Sequence, residues 1–188
     1  MDYTEDQVQE FKKCAGDPIY FIETYMKIDE LEPFKLYPNQ KASILDYHNR
    51  RSAMTSDKRQ TGVTFGLVAY LCYWVVFNFE KTGIVLSHKE AHAKDILAQV
   101  TVAYDNLPEF FKKKMTRRQK TTIEFEDSTV LLAKHCSRDA ARGRAFNMIM
   151  IDNFDYISKD VAKEFMDCIL PIHQASKFSK FITASTRE

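Results

Sequence analysis

The chain has 188 residues, enough for one domain with a sizeable hydrophobic core. Hydrophobic residues make up 45% of the sequence and charged residues 28%, a balance that is typical of globular proteins and excludes a disordered chain. The formal net charge of +1 indicates no general preference for nucleic acid or for a membrane surface.

The N-terminal part is predicted to be mainly helical. The apolar spacing of the first 28 residues predicts helix, split near Pro18. Pro38 suits the first turn of another helix, and a short strand is predicted at 52–57. The segment Val63–Phe79 is almost continuously apolar, but it falls short of the roughly 20 apolar residues that a membrane span needs. We therefore interpret it as a helix buried on all sides.

Strands and helices alternate over the rest of the chain. The segment 146–154 is apolar on both faces, as a central parallel strand should be. The other predicted elements are a strand at 81–88, a helix at 89–107, a hairpin at 121–135, a helix at 159–173 and a strand at 178–186. This alternation predicts an α/β fold with a largely parallel sheet.

The stretch SDKRQTGVTFGLVAYL (56–71) has the pattern of a phosphate-binding loop that runs into a helix, with one residue changed. In such a loop, backbone N–H groups wrap the phosphates, a lysine contacts the β/γ oxygens and a Ser or Thr hydroxyl holds Mg²⁺. Gly62 and Thr64 are in place, but Val63 stands where the lysine is expected. The pattern by itself is also compatible with a coincidental loop.

The strand MIMIDNF (148–154) ends in an acid, which is typical of a Walker B strand whose carboxylate binds Mg²⁺ directly or through water. ATPases normally place a Glu next, to orient or deprotonate the attacking water. This chain has Asn153, which hydrogen-bonds water but cannot accept its proton. The alternative interpretation is a buried strand that ends in a polar turn.

Two further features accompany these. Tyr37 and Gln40 lie upstream of the loop, and a Gln beside an aromatic residue suits the donor and acceptor edge of adenine. Arg59, inside the loop, is a fixed cation suited to a γ-phosphate.

Taken in order, these features resemble the N-terminal ATPase domain of the large terminase subunit, the DNA-packaging motor of tailed phages. The resemblance covers nearly all of the 188 residues. KRQTGVT (58–64) resembles the loop S-R-Q-x-G-K-[ST] of that family, and SRDAARGRAFNMIMIDNF (137–154) resembles S-x-D-A-x-R-G leading into I-D-E-x. Further matching segments are FKKCAGDPIYFIETYMKI, LYPNQKASIL, TGIVLSHKEAHAKDIL, AYDNLPEFFKKKM and SKFITAST. The resemblance implies a three-layer P-loop NTPase fold of the ASCE/RecA-like kind, with a mainly parallel central sheet flanked by helices.

The resemblance also implies roles for individual residues, with ATP and Mg²⁺ as cofactors. Tyr37 and Gln40 would bind adenine, and Arg59 would be an arginine finger supplied in cis. Thr64 and Asp152 would bind Mg²⁺. The remaining implied nucleotide contacts are Lys58, Gln60, Gly62 and Val63 in the loop, and Ser185 and Thr186 in a coupling motif that senses the γ-phosphate.

Two departures from the family pattern affect catalysis. Val63 replaces the loop lysine, and Asn153 replaces the catalytic Glu. Lys58 is a candidate replacement, because some terminases carry their functional lysine near the start of the loop. Two hypotheses remain open: an ATPase domain that powers or assists packaging of viral DNA with impaired catalysis, and a non-catalytic terminase-like protein that binds motor subunits, portal protein or DNA.

We predict a single terminase-type ATPase domain over 1–188, with a helical and adenine-motif region at 1–50 and the P-loop core at 51–188. The family's nuclease domain is expected to be absent, because the sequence stops after the coupling motif; a fragment and a split gene are both compatible with this ending. The resemblance implies other terminase subunits and the portal protein as partners, double-stranded DNA as a candidate partner, no membrane, and a location in the host cytoplasm.

Other features have two interpretations. The basic run at 112–120 is either a contact for DNA phosphates, with salt-dependent affinity, or a solvated charged face. His88 and His92 have the spacing of two metal ligands on a helix, but no third ligand is apparent. The four cysteines are widely spaced and indicate neither a zinc site nor a disulfide framework, and the acidic N-terminus does not resemble a signal peptide.

Overall fold

The computed structural model describes residues 3–27, 33–58, 60–140 and 144–187. Within these ranges the chain forms a seven-stranded sheet with helices on both faces, which confirms the predicted fold class. The helices are α1 (Glu5–Gly16), α2 (Pro18–Tyr25), α3 (Pro38–Asn49), α4 (Val63–Phe77), α5 (Glu90–Asp105) and α6 (Lys159–Ala175). The strands are β1 (Ser52–Lys58), β2 (Thr82–Ser87), β3 (Met115–Gln119), β4 (Thr122–Phe125), β5 (Val130–His135), β6 (Met148–Asp152) and β7 (Lys180–Arg187).

The strand order of the sheet is β1-β7-β6-β2-β5-β4-β3. The first five strands in this order are parallel, and β4 and β3 add an antiparallel wing. Because the carboxyl ends of parallel strands meet at one edge, β1 and β6 end on the same side of the molecule with the end of β7 between them. In the described residues β7 is the only neighbour of β1, so β1 borders the sheet.

Helix α4 accounts for the long apolar segment. Twelve of its 15 residues are buried, because it packs against α2, α3, α5 and the sheet. This confirms the interpretation as a helix buried on all sides. None of the helices in the described ranges has the length and apolarity of a membrane span.

The two faces of the sheet are covered differently. The larger core cluster joins α1 to α5 with one face, and the smaller cluster joins α6, through Phe165 and Ile169, with the other face. On the α6 side of the antiparallel wing, Thr122 and Glu124 of β4 are only half-buried and line an open groove.

Strand β3 was not predicted from the sequence. It lies inside the basic run, and of its five residues only Met115 is partly buried, while the other four are exposed. Such a strand lacks the alternation of apolar and polar residues that identifies strands in a sequence.

Candidate nucleotide site

The two residues predicted to bind Mg²⁺ meet in the folded chain. Thr64 lies in the first turn of α4, and Asp152 is the last residue of β6. The Thr64 hydroxyl oxygen lies 3.4 Å from each carboxylate oxygen of Asp152, although the residues are 88 positions apart. The fold therefore brings a hydroxyl and a carboxylate together at the carboxyl edge of the sheet, where ligands bind in open α/β folds.

Asp152 is a carboxylate in a buried position. The residue is only 3% exposed, and this burial raises the pKa of its carboxyl to about 6. Hydrogen bonds from the Asn153 backbone and from Thr64, and the charge of nearby His92, act in the opposite direction and lower this pKa. Among the described residues no lysine or arginine forms an ion pair with Asp152. A divalent cation would compensate this charge.

The donor set fits Mg²⁺ better than a transition metal. Mg²⁺ is usually held by one or two carboxylates, waters and substrate phosphates. No group of three or more His, Cys, Asp or Glu side chains in the described ranges is arranged to hold a metal ion by itself. The Thr64 and Asp152 pair therefore fits an ion that also uses phosphate oxygens.

The start of α4 has the geometry of an anion site. Gly62 precedes the helix in the left-handed conformation, with φ 76° and ψ 28°, and no side chain of the described residues caps the helix. The N–H groups of the first turn are therefore left for a ligand or water, and the helix dipole favours a negative charge there. Gln60 also has a positive φ, of 66°, and is exposed.

Val63 points away from this anion site. It is 7% exposed and belongs to the large core cluster, so only its backbone N–H is available to a phosphate. Lys58, the last residue of β1, is exposed, and its ammonium has no hydrogen-bond partner in the described part of the chain. An exposed cation therefore stands at the entrance of the loop, beside Asp57, whose pKa is lowered by the hydrogen bond from the Lys58 backbone N–H and also by this charge. Arg59 lies outside the described residues.

Gln40 has a role that the sequence did not predict. It is 2% exposed, its Oε1 accepts a hydrogen bond from the Tyr37 backbone N–H at 2.9 Å, and its Nε2 donates to the Gly62 carbonyl at 2.9 Å. Gln40 therefore joins α3 to the phosphate loop. Tyr37, by contrast, is 62% exposed, which leaves its ring accessible to a base. The adenine role of the two residues stays a prediction.

The loop after β6 is connected to the predicted coupling motif. Asn153 adopts the left-handed conformation, with φ 55°, and its Nδ2 donates to Asp152 Oδ2 at 2.9 Å. Two residues later, the Asp155 backbone N–H donates to Ser185 Oγ at 2.9 Å. Thr186, half-buried, follows and pairs in register with Asp57 of β1. The turn after β6, strand β7 and the start of the loop after β1 are thus contiguous.

Two residues beside the site were not assigned to it from the sequence. Asn39 Nδ2 donates to Asp57 Oδ2 at 2.8 Å and to the Thr61 carbonyl at 3.1 Å, and so holds the loop from α3. His92, whose charge acts on Asp152, stacks edge to face on His88 at 4.8 Å between ring centroids. Only the pairing of β2 with β6 reveals this proximity, because it sets Ser87, next to His88, beside Asp152.

The chain has a P-loop NTPase fold. Its defining features are the parallel sheet, the glycine loop at the start of a buried helix and the Thr64–Asp152 pair. No model of a protein family matches the sequence. Solved structures match it closely, and they give it the fold of the ATPase domain of phage large terminases, as the resemblance implied.

Three of these structures show the extent of the similarity. The large terminase of bacteriophage HK97 superposes with a TM-score of 0.74 at 18% identity, over 92% of this chain and 38% of that protein. The ATPase domain of the Thermus phage P74-26 large terminase gives 0.65 at 14% identity, over 82% and 66%. The large terminase of the thermophilic bacteriophage D6E, in complex with ADP, gives 0.60 at 8% identity, over 80% and 39%. The chain thus spans about two fifths of two of these proteins and two thirds of the third.

Proposed function

We propose that this chain is the ATPase domain of a terminase-type motor and binds Mg²⁺-ATP at the carboxyl edge of the sheet to assist packaging of viral DNA. The observation that carries the proposal is the Thr64 hydroxyl 3.4 Å from both Asp152 oxygens, beside an uncapped helix N-terminus. The fold shared with phage large terminases, one of them in complex with ADP, supports it.

Each part of the site has a role in this proposal. The N–H groups at the start of α4 bind phosphate oxygens, and the exposed ring of Tyr37 stacks on the base. Gln40 keeps the loop in its binding conformation through the Gly62 carbonyl. Thr64 and Asp152 hold Mg²⁺, which when bound neutralises charge on the β- and γ-phosphates.

Catalysis by the isolated chain is expected to be slow. Asn153 can orient a water but cannot take its proton, and loss of a general base typically reduces the rate by about 10²- to 10⁴-fold. Val63 adds no charge, since its side chain is an alkyl group, and this side chain lies in the core. We further propose that Arg59 is the cis arginine finger and that Ser185 and Thr186 sense the γ-phosphate. The proposed partners are other terminase subunits and the portal protein, and the proposed location is the host cytoplasm.

Calorimetric titration with Mg²⁺-ATP tests the proposal, on the wild-type chain, Lys58→Ala and Asp152→Asn. We expect binding by the wild type, weaker binding by Lys58→Ala and loss of the Mg²⁺ dependence in Asp152→Asn. Lys177→Ala is the matched control, because Lys177 is exposed in the turn before β7, at the opposite edge of the sheet. Unchanged binding by Lys58→Ala would leave the helix N–H groups and Arg59 as the phosphate contacts.

The second candidate is a non-catalytic terminase-like protein that binds motor subunits, portal protein or DNA. Both substituted residues make contacts that stabilise the fold, and this favours the second candidate. Val63 is buried, and Asn153 donates a hydrogen bond to Asp152. Absence of any binding at millimolar Mg²⁺-ATP by a folded wild-type chain would reject the first function and leave this one.

A further inference from the structure

The basic run at 112–120 retains unneutralised charge in the folded chain. It contains six lysine and arginine side chains. Lys114, Arg117 and Lys120 form no ion pair with the described residues. The other three are neutralised, in the pairs Lys112–Glu109 at 2.7 Å, Lys113–Asp127 at 2.9 Å and Arg118–Asp105 at 2.6 Å.

Strand β3 directs Arg117 and Arg118 to opposite faces of the sheet. Arg118 lies opposite Ile123, which is fully buried in the core on the α5 side, and it pairs with Asp105 of α5. Arg117 lies opposite Glu124, which is half-buried on the other face. Arg117, which forms no ion pair with the described residues, therefore lies on the side of the sheet that carries α6.

On that side lies a groove of about 390 Å³, which we call the basic groove and which is lined by β3, β4, β5 and the segment before β6. Arg117, Lys134 and Arg144 line it from three separate parts of the chain. Among the described residues of this lining Glu124 is the one carboxylate, so three cations and one anion give them a formal charge of +2. Thr122 contributes a hydroxyl group.

Lys134 is held at the groove by the backbone. Its Nζ donates to the Ala140 carbonyl at 3.3 Å, and its other two N–H groups have no hydrogen-bond partner among the described residues. Arg117 and Arg144 are exposed. Cations that separate parts of the chain contribute to one open groove suit a polymer with repeated negative charges better than a single small anion.

We propose that the basic groove binds the phosphodiester backbone of double-stranded DNA. Contacts of this kind position the duplex without reading its sequence, because phosphates are the same at every step. The choice of DNA as the polyanion rests on the proposed function, but the groove does not include the nucleotide site. The surface therefore assigns the DNA contact to the antiparallel wing.

Fluorescence anisotropy with a labelled duplex, measured at several salt concentrations, tests this. The variant Arg117→Ala/Arg144→Ala removes two exposed cations of the groove, and Arg118→Ala is the matched control because it removes the neighbouring charge on the other face. We expect the double variant to bind roughly tenfold more weakly or worse and to lose about 0.9 from the log–log salt slope for each phosphate contact removed. The control should retain the wild-type slope.

Three outcomes would overturn the inference. The first is an unchanged salt slope in the double variant, provided that its thermal unfolding is like that of the wild type. The second is a loss of DNA affinity in Arg118→Ala equal to that in the double variant. The third is the absence of salt-dependent DNA binding by the wild type. A preference for a single strand of the same length would overturn the assignment to duplex. Titration of the same variants with Mg²⁺-ATP separates the two proposals. Unchanged DNA binding by the double variant with intact nucleotide binding rejects only the groove, whereas loss of DNA binding with intact nucleotide binding supports it.

Discussion

Gly62 meets two separate constraints at the phosphate loop. Its φ of 76° lies in the left-handed region that favours glycine, and a Cβ at this position would lie 2.5 Å from Gln40 Nε2. Gln40 can move aside only by giving up its hydrogen bonds to Tyr37 and to Gly62 itself. The first constraint follows from the loop pattern in the sequence, but the second depends on the packing of α3 and is not visible there.

We expect Gly62→Ala to lower the free energy of unfolding by more than the cost of the left-handed backbone alone, which is about 1–2 kcal/mol. In a Gln40→Ala background the same substitution should cost only the backbone part, because the amide that it would strike is gone. Urea unfolding of the wild type, both single variants and the double variant measures this coupling. Additive effects of the two substitutions would contradict the steric argument.

Asp152 makes the stability of the chain depend on pH in an unusual direction. Burial raises the pKa of this carboxyl from 3.8 to about 6, so between these values the folded state binds more protons than the unfolded state. Stability contributed by this group therefore falls as pH rises through that window, and above it the full cost of a buried carboxylate is present.

Without Mg²⁺, Asp152→Asn should be more stable than the wild type at about pH 7.5, by up to about 3 kcal/mol, and the difference should shrink near pH 4. Mg²⁺ should stabilise the wild type and not the variant, because it needs the carboxylate. Urea unfolding at both pH values, with and without Mg²⁺, measures this. Asp155→Asn, at an exposed carboxylate three residues along the chain, is the control. Equal stabilities of wild type and Asp152→Asn at both pH values would refute the argument.

At the scale of elements, two ion pairs of the antiparallel wing differ in burial. Lys113 and Asp127 are 2.9 Å apart with side chains 10% and 17% exposed, and Lys113 also donates to the Asn78 carbonyl at the end of α4. Arg118 and Asp105 are 2.6 Å apart but 59% and 41% exposed. The first pair attaches the β4–β5 turn to α4, and the second lies in solvent.

Asp127→Asn should therefore lower the free energy of unfolding by about 3 kcal/mol, because it leaves the Lys113 ammonium largely buried and unpaired. Asp105→Asn makes the same change in an exposed pair and should cost less than about 1 kcal/mol. Thermal or urea unfolding of the two variants gives the comparison. Similar losses in both would show that burial does not decide the strength of these pairs.

The elements themselves were largely predictable, with one informative exception. Helix α4 and strand β6 are apolar enough, and long enough, for their type to follow from the sequence. Strand β3 was missed because four exposed polar residues carry no periodic signal. It is a strand because the antiparallel edge of β4 is available to it, which is a property of the tertiary structure.

At the scale of the whole molecule, the site depends on strand order, which local patterns do not specify. The sequence identified Thr64 and Asp152 by their motifs, and the fold brings them together across β7. The pairing of distant strands brings His92 close to Asp152, and it brings Arg144 into the groove that β3 lines. The spacing of these residues along the sequence therefore did not reveal either position.

The border position of β1 has a mechanical consequence. In the described residues β1 is held on one side only, and its last pairs, Ser56 with Ser185 and Asp57 with Thr186, join it to the strand that also receives the turn after β6. Within the sheet, displacement of the end of β1 is therefore resisted by one ladder of backbone hydrogen bonds, to which Asn39 and Gln40 of α3 add hydrogen bonds to the loop. Such a displacement would be transmitted to β7 and, through Ser185, to the turn after β6.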